Sequence, residues 1–325
     1  MDLIRGLHNI RSRQQSCAAT IGNFDGVHLG HQRVLQMAGA EAARKSVRSC
    51  VISFEPLPAE FFAPTGKAPA RLTALREKYH QIKQQGIDQM LLLPFDRQLA
   101  GTDAQTFIQK VLINGLAIKH LLVGDDFRFG RNRTGDFNML KRASEQYGFS
   151  IAQSPTHSES GSRISSTRVR QLLEAGELQQ SVALLGRPYA ITGRVGYGAQ
   201  KGRTIGFPTA NIVLGNHNPP LRGVFAVTAT KASADSPSAT QVTTTSPVPG
   251  IANLGIKPTV NGTRLSLEVH LLDYQNTLYG DVLRIEFFHK LRDEQKFASF
   301  DELKQAIAND EANARAWFAK QPGAL

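Results

Sequence analysis

The first half of the chain alternates between short apolar runs and helix-like patterns, and this alternation constrains the fold more than any other feature. Five runs have the length and apolar content of buried strands: Ala18–Ile21, Ser49–Phe54, Met90–Pro94, Leu121–Gly124 and Phe149–Gln153. Helical spacing of apolar residues fills the intervals between them: His31–Lys45, Leu72–Gln85, Asp103–Leu116 and Phe137–Tyr147. Strands separated by helices predict an α/β fold, a doubly wound, Rossmann-like parallel sheet covered on both faces. In such sheets, ligands bind beyond the carboxyl ends of the strands.

This pattern stops at Gly186. Two short helices are predicted just before it, at Ser166–Ala175 and Leu178–Leu185, and Arg187 and Pro188 interrupt the periodicity after it. A chain of 325 residues is long for a single hydrophobic core. We therefore predict two domains, formed by residues 1–186 and 187–325.

Beyond the predicted boundary the apolar residues recur with a period close to two. Five segments fit strands joined by turns: Ala190–Val195, Gly223–Thr230, Val248–Leu254, Leu265–Leu272 and Val282–Phe288. Successive strands without intervening helices predict a small antiparallel sheet or β-barrel, followed by a terminal helix at Phe300–Phe318. Within Lys231–Gly250, 14 of 20 residues are Ala, Ser, Thr or Pro. Such a segment buries little apolar area, so we expect a flexible hairpin loop.

The loop after the first predicted strand combines glycines with two histidines. The loop contains Gly22, Gly26 and Gly30. The helical pattern begins at its two histidines, His28 and His31. A helix start presents unpaired N–H groups and partial positive charge, and glycines allow close approach of an anion, so this arrangement favours phosphate binding. No further Cys, His or carboxylate cluster nearby completes a zinc site. Two polar residues that merely cap the helix are the alternative.

Charge and composition narrow the class of partner. The net charge of +11 divides into +7 up to Gly186 (23 Lys and Arg against 16 Asp and Glu) and +4 beyond it (15 against 11). A nucleic-acid binder more often has a concentrated basic stripe, and charge spread in this way suits small anionic substrates at least as well. No apolar stretch has the length of a membrane span, and Cys17 and Cys50 lie in strand-like runs as expected for buried free thiols. We therefore expect a cytoplasmic protein that binds neither nucleic acid nor membrane.

Six motifs together resemble one family. GNFDGVHLGH is similar to the nucleotide-binding motif of HxGH nucleotidylyltransferases in the version found in bacterial FAD synthetases, and two later stretches resemble the same domain: LLVGDDFRFG at Leu121–Gly130 and ISSTRVR at Ile164–Arg170. Three more resemble the riboflavin kinase module fused to it: GRTIGFPTANI at Gly202–Ile212, LEVHLLD at Leu267–Asp273 and LRDEQKF at Leu291–Phe297. In this order, and over nearly the whole chain, they resemble the prokaryotic bifunctional riboflavin kinase/FAD synthetase family.

The resemblance implies specific roles in the first domain. There, FMN is adenylylated to FAD with ATP and Mg²⁺, and pyrophosphate is released; His28 and His31 contact the ATP phosphates as the catalytic histidines. The implied nucleotide or flavin site also includes Gly22, Asn23, Phe24, Asp25, Gly26, Asp126, Ser166, Thr167 and Arg170. From the residues alone, Ser166 to Arg170 would equally suit a helix cap and a solvated arginine.

The second domain is implied to phosphorylate riboflavin to FMN with a separate ATP. Glu268 is implied to act as the general base toward the riboflavin 5′-hydroxyl, although a strand glutamate is usually only solvent-facing. Thr209 and Asn211 offer hard oxygen donors two residues apart, suited to Mg²⁺. The resemblance adds ATP or flavin contacts from Gly198, Lys201, Gly202, Arg203, Gly206, Pro208, Arg292 and Phe297. His270 is expected to be structural.

Two other classes of function stay open at this stage. One is an enzyme with a single active site, or one that adenylylates a different phosphate ester. The other is a basic RNA- or protein-binding protein that retains the fold without the chemistry. The product mixture formed from riboflavin, ATP and Mg²⁺ separates both classes from the two-site enzyme.

Overall fold

The computed structural model describes residues 1–64, 67–155, 158–159, 162–197, 207–232, 246–259, 262–321 and 323. Two compact units emerge: Met1–Pro69 with Lys78–Ser165, and Ala70–Glu77 with Ser166–Leu325. The predicted helices at Ser166–Ala175 and Leu178–Leu185 thus fall in the unit that contains the C-terminal half of the chain. The division of activities at Gly186 stays a prediction.

A parallel sheet forms the centre of the first unit. Its described strands are β1 (Asp2–Arg5), β2 (Ala18–Ile21), β3 (Ser49–Glu55), β4 (Gln89–Pro94), β5 (His120–Gly124) and β6 (Ser150–Ser154). They lie in the order β1-β4-β3-β2-β5-β6, and every neighbouring pair is parallel. Five of them match the predicted strands closely, and β1 was not predicted. A two-stranded antiparallel hairpin of β7 (Ser158–Glu159) and β8 (Ser162–Arg163) follows β6.

Helices connect these strands as the alternation predicts. Those named in the described part of the chain up to Ser165 are α1 (Leu29–Arg44), α2 (Pro58–Phe62), α3 (Leu75–Gln84), α4 (Arg97–Ala100), α5 (Ala104–Phe107) and α6 (Phe137–Tyr147). Short 3₁₀ turns lie at Leu7–Asn9, Ser12–Gln14 and Arg131–Arg133. The single helix predicted from Asp103 to Leu116 is α5 continued by a π-helix, Ile108–Gly115.

The strand order reverses direction beside β2. From β2 the chain moves outward through β3 and β4, whereas β5 and β6 lie on the opposite side of β2. The loops after β2 and β5 therefore open beside each other at the carboxyl edge of the sheet, at the place where a doubly wound fold binds ligands. All four residues of β2 are buried, as expected for a central strand covered on both faces.

The second unit is built on a closed antiparallel barrel. Its strands are β9 (Tyr189–Gly196), β10 (Ala210–Ile212), β11 (Gly223–Ala232), β12 (Val248–Thr259), β13 (Gly262–Leu271) and β14 (Val282–Arg292). They close in the order β10-β13-β12-β11-β14-β9, with antiparallel pairing throughout. The predicted α/β fold with a C-terminal antiparallel barrel and terminal helix is confirmed. Residues 233–245 of the predicted Lys231–Gly250 loop lie outside the described residues.

In the described part of the second unit, the barrel is accompanied by the helices α7 (Ser166–Ala175), α8 (Leu178–Leu185) and α9 (Phe300–Ala319). The side chain of Ser299 caps α9 by accepting a 3.2 Å hydrogen bond from the Glu302 amide. Ala314 and Phe318 of α9 are buried in a cluster with Ala226 of β11 and Ile251 of β12. The terminal helix is therefore anchored to the barrel wall by its apolar face. Within the described residues, no helix has both the length and the apolar character needed to cross a membrane.

A buried glutamate belongs to the second unit. Glu77 lies at the end of the segment Ala70–Glu77, and neither oxygen of its buried carboxyl group has a hydrogen-bond partner. Burial raises the pKa of the Glu77 carboxyl to about 7, although the charges of Arg284 and Arg187 act in the opposite direction. A carboxyl group with a raised pKa binds its proton more tightly in the folded than in the unfolded chain, so folding is penalised once that proton is lost.

The substitution Glu77→Gln should therefore stabilise the protein in a pH-dependent way. The penalty from Glu77 is small below its unfolded pKa, grows as the pH rises and is complete above about 7. The advantage of the variant over the wild type should increase by about 2 kcal/mol between pH 5 and pH 8. Urea unfolding at both pH values measures it. A stability difference that is the same at pH 5 and pH 8 would contradict a neutral Glu77.

Candidate functional site

The loop after β2 has a strained backbone and a buried interior. Phe24, Gly26 and Val27 have positive φ angles of 48°, 85° and 37°. A β-branched residue such as Val27 rarely adopts this conformation, so the surrounding packing must hold it there. Phe24, Asp25 and Val27 are all buried. The loop therefore presents a fixed backbone to whatever binds at the start of α1.

His28 closes this loop as the N-cap of α1. Its Nδ1 accepts a 3.2 Å hydrogen bond from the backbone N–H of His31. Since Nδ1 is the acceptor, the proton of a neutral His28 lies on Nε2, which is then a donor. The rings of His28 and His31 stack with centroids 3.6 Å apart, and Phe24 packs on His31 at 5.2 Å. Both the capping and the anion-binding interpretations of these histidines are compatible with this geometry.

Gly30 makes the close packing of His28 possible. A Cβ atom at Gly30 would lie 3.2 Å from Nδ1 of His28, closer than such contacts normally come. The glycine between the two histidines therefore leaves room for the ring of the first to fold against the helix start. The N–H groups at the start of this 16-residue helix and its dipole both favour an anion there.

A cavity of about 710 Å³ opens at the carboxyl edge of the sheet. It is lined by residues after β2, in and after β3, after β4 and after β5: Gly22, Asn23, Phe54, Pro58, Ala59, Phe62, Phe95, Leu99, Ala100, Phe107, Asp126, Phe127, Arg128, Phe129, Gly130, Asn132 and Arg133. Aromatic walls with a polar and basic rim are suited to a flat ring that carries an anionic group.

The sequence prediction missed the aromatic walls of this cavity. Phe54 and Phe95 meet edge to face at 5.7 Å, and Phe62 meets Phe95 in a similar way. A signal was present, because Phe54 lies near the end of β3 and Phe95 directly follows β4. Aromatic residues at the carboxyl ends of parallel strands lie at the edge where ligands bind.

The loop after β5 is held at both of its sides. Asp126 forms an ion pair with Arg163, and Gly130 packs so closely on α5 that a Cβ atom would lie 2.7 Å from the backbone of Ala104. The amide of Arg131 donates a 2.8 Å hydrogen bond to the carbonyl oxygen of Thr102. These contacts fix the wall of the cavity that contains Asp126.

Ser166, Thr167 and Arg170 lie in the first turns of α7, in the unit that contains the barrel. Arg170 donates from Nε to the carbonyl oxygen of Ala70, at 2.6 Å. Ala70 belongs to the same unit, so this bond ties α7 to the segment Ala70–Glu77. The phosphate contacts predicted for these three residues stay predictions.

On the barrel, the residues predicted as metal ligand and as base face each other. Asn211 of β10 is directly opposite Glu268 of β13, and both are half-buried. The flanking pairs, Ala210 with Val269 and Ile212 with Leu267, are buried in the barrel. Directly opposed residues present their side chains on the same face. Asn211 and Glu268 therefore share the outer face of the barrel.

Thr209 precedes β10 and lines a second cavity of about 410 Å³ with Pro208 and the segment after β13. Thr209 is half-buried. At the mouth of this region the rings of Tyr197 and Tyr279 stack at 4.5 Å. The other predicted residues of the preceding loop lie outside the described residues: Gly198, Lys201, Gly202, Arg203 and Gly206.

Arg292 and Phe297 contact each other after β14. The guanidinium carbon of Arg292 lies 5.5 Å from the Phe297 ring centroid, within the range of a cation–π contact. Arg292 also forms a two-pronged ion pair with the buried carboxylate of Asp310 on α9, at 2.8 and 2.9 Å. Phe297 lines a separate cavity of about 550 Å³. Asp310 was not predicted, because nothing local in the sequence links α9 to a residue 18 positions earlier.

Across the part of the chain that the structure describes, no three His, Cys, Asp or Glu side chains form a group that could hold a metal ion. The predicted ligands Thr209 and Asn211 are of another kind, a hydroxyl and an amide oxygen. Hard neutral oxygens of this type complete the coordination of a magnesium–nucleotide complex rather than form a metal site of their own.

Comparisons with known proteins match the two halves of the chain to two family models. A family model described as FAD synthetase matches residues 10–168, and one described as riboflavin kinase matches residues 185–318. A protein of Escherichia coli K12 described as bifunctional riboflavin kinase/FMN adenylyltransferase is 48% identical over 98% of both chains. The Haemophilus influenzae protein of the same description is 44% identical, over 98% of this chain and 99% of that one. The chain belongs to the bifunctional riboflavin kinase/FMN adenylyltransferase family.

A solved structure also matches along the chain. The crystal structure of a Streptococcus pneumoniae protein, described as a macrolide-efflux protein, aligns with a TM-score of 0.80 and 27% identity. The alignment covers 98% of this chain and 100% of that one. The likeness supports the α/β and barrel architecture described above.

The contact of Gly130 with α5 generates a test of the cavity wall. Gly130→Ala should destabilise the protein more than Gly148→Ala, because both glycines have φ near +73° but a Cβ at Gly148 meets nothing within 4 Å. We expect a loss of about 1 kcal/mol for Gly148→Ala and at least ~2 kcal/mol for Gly130→Ala. Thermal unfolding and hydrogen exchange at the Arg131 amide measure the difference. Equal losses would contradict a tight contact with Ala104.

Proposed function

We propose that the chain catalyses two successive reactions at separate sites. The barrel transfers the γ-phosphoryl group of ATP to riboflavin and gives FMN and ADP. The α/β unit transfers the adenylyl group of a second ATP to FMN and gives FAD and pyrophosphate. The observation that carries the proposal is the position of the two candidate sites. His28 lies in the span that matches FAD synthetase, and Glu268 lies in the span that matches riboflavin kinase.

Adenylyl transfer requires alignment and charge stabilisation rather than a covalent intermediate. An FMN phosphate oxygen attacks the α-phosphorus of ATP, and the bond to the pyrophosphate oxygen breaks. With its Nδ1 engaged by the His31 amide, His28 directs an Nε2 proton toward the triphosphate. The start of α1 adds its backbone N–H groups. His31, stacked on His28, keeps that ring in place and contributes a second imidazole.

The cavity lined by Phe54, Phe62 and Phe95 is the proposed position of the FMN ring system. An isoalloxazine ring can stack on or meet these side chains at their edges. Arg128 and Arg133 at the rim offer guanidinium groups to the FMN phosphate. Gly22 and Asn23 line the same cavity and connect it to the loop that ends at His28.

The remaining residues predicted for this reaction keep supporting roles in the proposal. Phe24, Asp25 and Gly26 form the buried loop beneath the histidines. Asp126 orients the loop after β5 through Arg163. The phosphate contacts predicted from the sequence for Ser166, Thr167 and Arg170 stay predictions.

On the barrel, Glu268 removes the proton from the riboflavin 5′-hydroxyl. The 5′-oxygen of riboflavin attacks the γ-phosphorus of ATP, and ADP leaves. Thr209 and Asn211 would hold Mg²⁺ through Oγ1 and Oδ1, and their donor set fits that ion. When bound, the ion neutralises charge on the ATP phosphates. The position of Asn211 opposite Glu268 supports a base and a metal–nucleotide complex on one barrel face.

Riboflavin and ATP contacts complete the proposed kinase site. Arg292, held by Asp310, and Phe297 form a flat guanidinium–aromatic pair for the flavin ring. Pro208 borders the cavity beside Thr209. The basic, glycine-rich loop with Gly198, Lys201, Gly202, Arg203 and Gly206 is proposed to cover the ATP phosphates.

A cytoplasmic location is consistent with the buried free thiols of Cys17 and Cys50.

The kinase assignment is tested with Glu268→Gln. From riboflavin, ATP and Mg²⁺ the wild type should give FMN and FAD, resolved by chromatography. The variant should form FMN about 10²–10⁴-fold more slowly, because it lacks the general base. It should still convert supplied FMN to FAD at the wild-type rate. Loss of both reactions in a folded variant would contradict separate sites.

The adenylylation assignment is tested with His28→Asn. Asparagine is a good N-cap and keeps an acceptor for the His31 amide, but it removes the imidazole donor. The variant should retain helix content and riboflavin phosphorylation while FAD formation falls by at least ~10²-fold. Full FAD formation in this variant would show that His28 acts only as a helix cap.

A further inference from the structure

His270 stands on β13 two residues after Glu268 and makes one well-defined polar contact. Its Nδ1 lies 2.8 Å from the carbonyl oxygen of Pro208. A carbonyl oxygen can only accept, so Nδ1 of His270 carries the proton and donates. The ring of Phe207 meets the same imidazole edge to face at 5.5 Å. His270 therefore contacts both residues that precede Thr209.

The contact between His270 and Pro208 lies just before β10, where the chain is not yet paired in the sheet. β10 begins at Ala210, which pairs with Val269, and continuing that register by one residue places Thr209 opposite His270. Pro208 has no N–H to offer a neighbouring strand. Thr209 is only half-buried, so packing alone does not fix the position of its side chain. Thr209 is held between the ladder that starts at Ala210 and the bond from His270 to Pro208.

We propose that His270 is a positioning residue, which fixes the Thr209 hydroxyl for a divalent cation–nucleoside triphosphate complex. The inference rests on the proposed kinase function of the barrel. By holding the Pro208 carbonyl, His270 fixes the backbone one residue before Thr209. Without this hydrogen bond, Thr209 samples more conformations, and the conformational entropy lost when Thr209 becomes ordered weakens cation binding.

A purely structural role for His270 is a weaker explanation. The side chain is on the half-buried outer face with Glu268, whereas Val269 and Leu271 on either side of it are buried in the barrel. Those apolar residues supply the burial that stabilises the strand. Loss of the imidazole should leave the barrel folded and alter the site beside it.

Three substitutions of His270 distinguish the effect of its hydrogen bond to Pro208 from the effect of its ring. His270→Asn keeps an N–H donor bonded to Cγ, at the position of Nδ1, whereas His270→Gln moves the donor one carbon further, toward the position of Nε2. His270→Ala removes it. The Mg²⁺ concentration for half-maximal FMN formation should rise about 5- to 10-fold in the Ala and Gln variants, as expected for one lost hydrogen bond. It should stay within about 2-fold of the wild type in His270→Asn.

Two further measurements distinguish positioning from general damage. Saturating Mg²⁺ should restore most of the kcat of the Ala and Gln variants, and FMN-to-FAD conversion should be unchanged in all three. Calorimetric titration of ADP in the presence of Mg²⁺ should show the same ranking without turnover. The imidazole ¹⁵N spectrum of the wild type should show a proton on Nδ1.

The outcomes separate this inference from the proposed function. Wild-type Mg²⁺ dependence in His270→Ala, or equal defects in the Asn and Ala variants, would overturn the positioning role. So would a loss of kcat that Mg²⁺ does not restore. Absence of riboflavin phosphorylation in the wild type would instead refute the kinase function itself.

Discussion

The pairing of Asn211 with Glu268 across β10 and β13 is the constraint on which the second site depends. Side chains alternate between the two faces of a strand, so a slip of one residue would turn the carboxylate of Glu268 into the barrel. The closed barrel prevents that slip, because β13 is also paired along its length with β12. Apolar residues on the inner face therefore fix the position of the residues proposed for chemistry on the outer face. The buried side chains of Leu267 and Val269 hold the register of β13, and this register keeps Glu268, which lies between them, on the outer face.

The first site depends on a different source of rigidity. A buried loop with Val27 at a positive φ angle leads into α1, and the imidazole of His28 completes the helix cap. The imidazole of His28 thus accepts from the His31 N–H, and this hydrogen bond also fixes the tautomer of His28. The loop that leads into this helix also lines a largely aromatic cavity, so the proposed anion site and the proposed site for a flat ring lie at one edge of the sheet.

The sequence predicted the architecture well because its signals are local. Strand and helix periodicity indicated nearly every major element, with most ends within two or three residues of those observed. β1 was missed because Asp2–Arg5 is short and only one of its residues is buried. The π-helical turns of Ile108–Gly115 could not be distinguished from α-helix by spacing alone.

The contacts that shape the candidate sites were much harder to predict. The ion pair between Arg292 and Asp310 and the bond from His270 to Pro208 both join residues distant in sequence. The burial that raises the pKa of Glu77 likewise depends on the fold. No periodicity encodes such pairings. The residues of the motifs could be named from the sequence, whereas the neighbours that orient them became visible only in the fold.

The short segment Ala70–Glu77 makes the chain less modular than its two activities suggest. Residues on both sides of it belong to the first compact unit, but the segment itself belongs to the second. There, the Arg71 amide donates to the carbonyl of Asn218 and the Arg71 carbonyl accepts from His217. No single cut of the chain separates the two units intact, since any cut after Glu77 and before His217 leaves Arg71 and its partners on different fragments. Either half produced alone would therefore lack the hydrogen bonds that join Arg71 to Asn218 and His217.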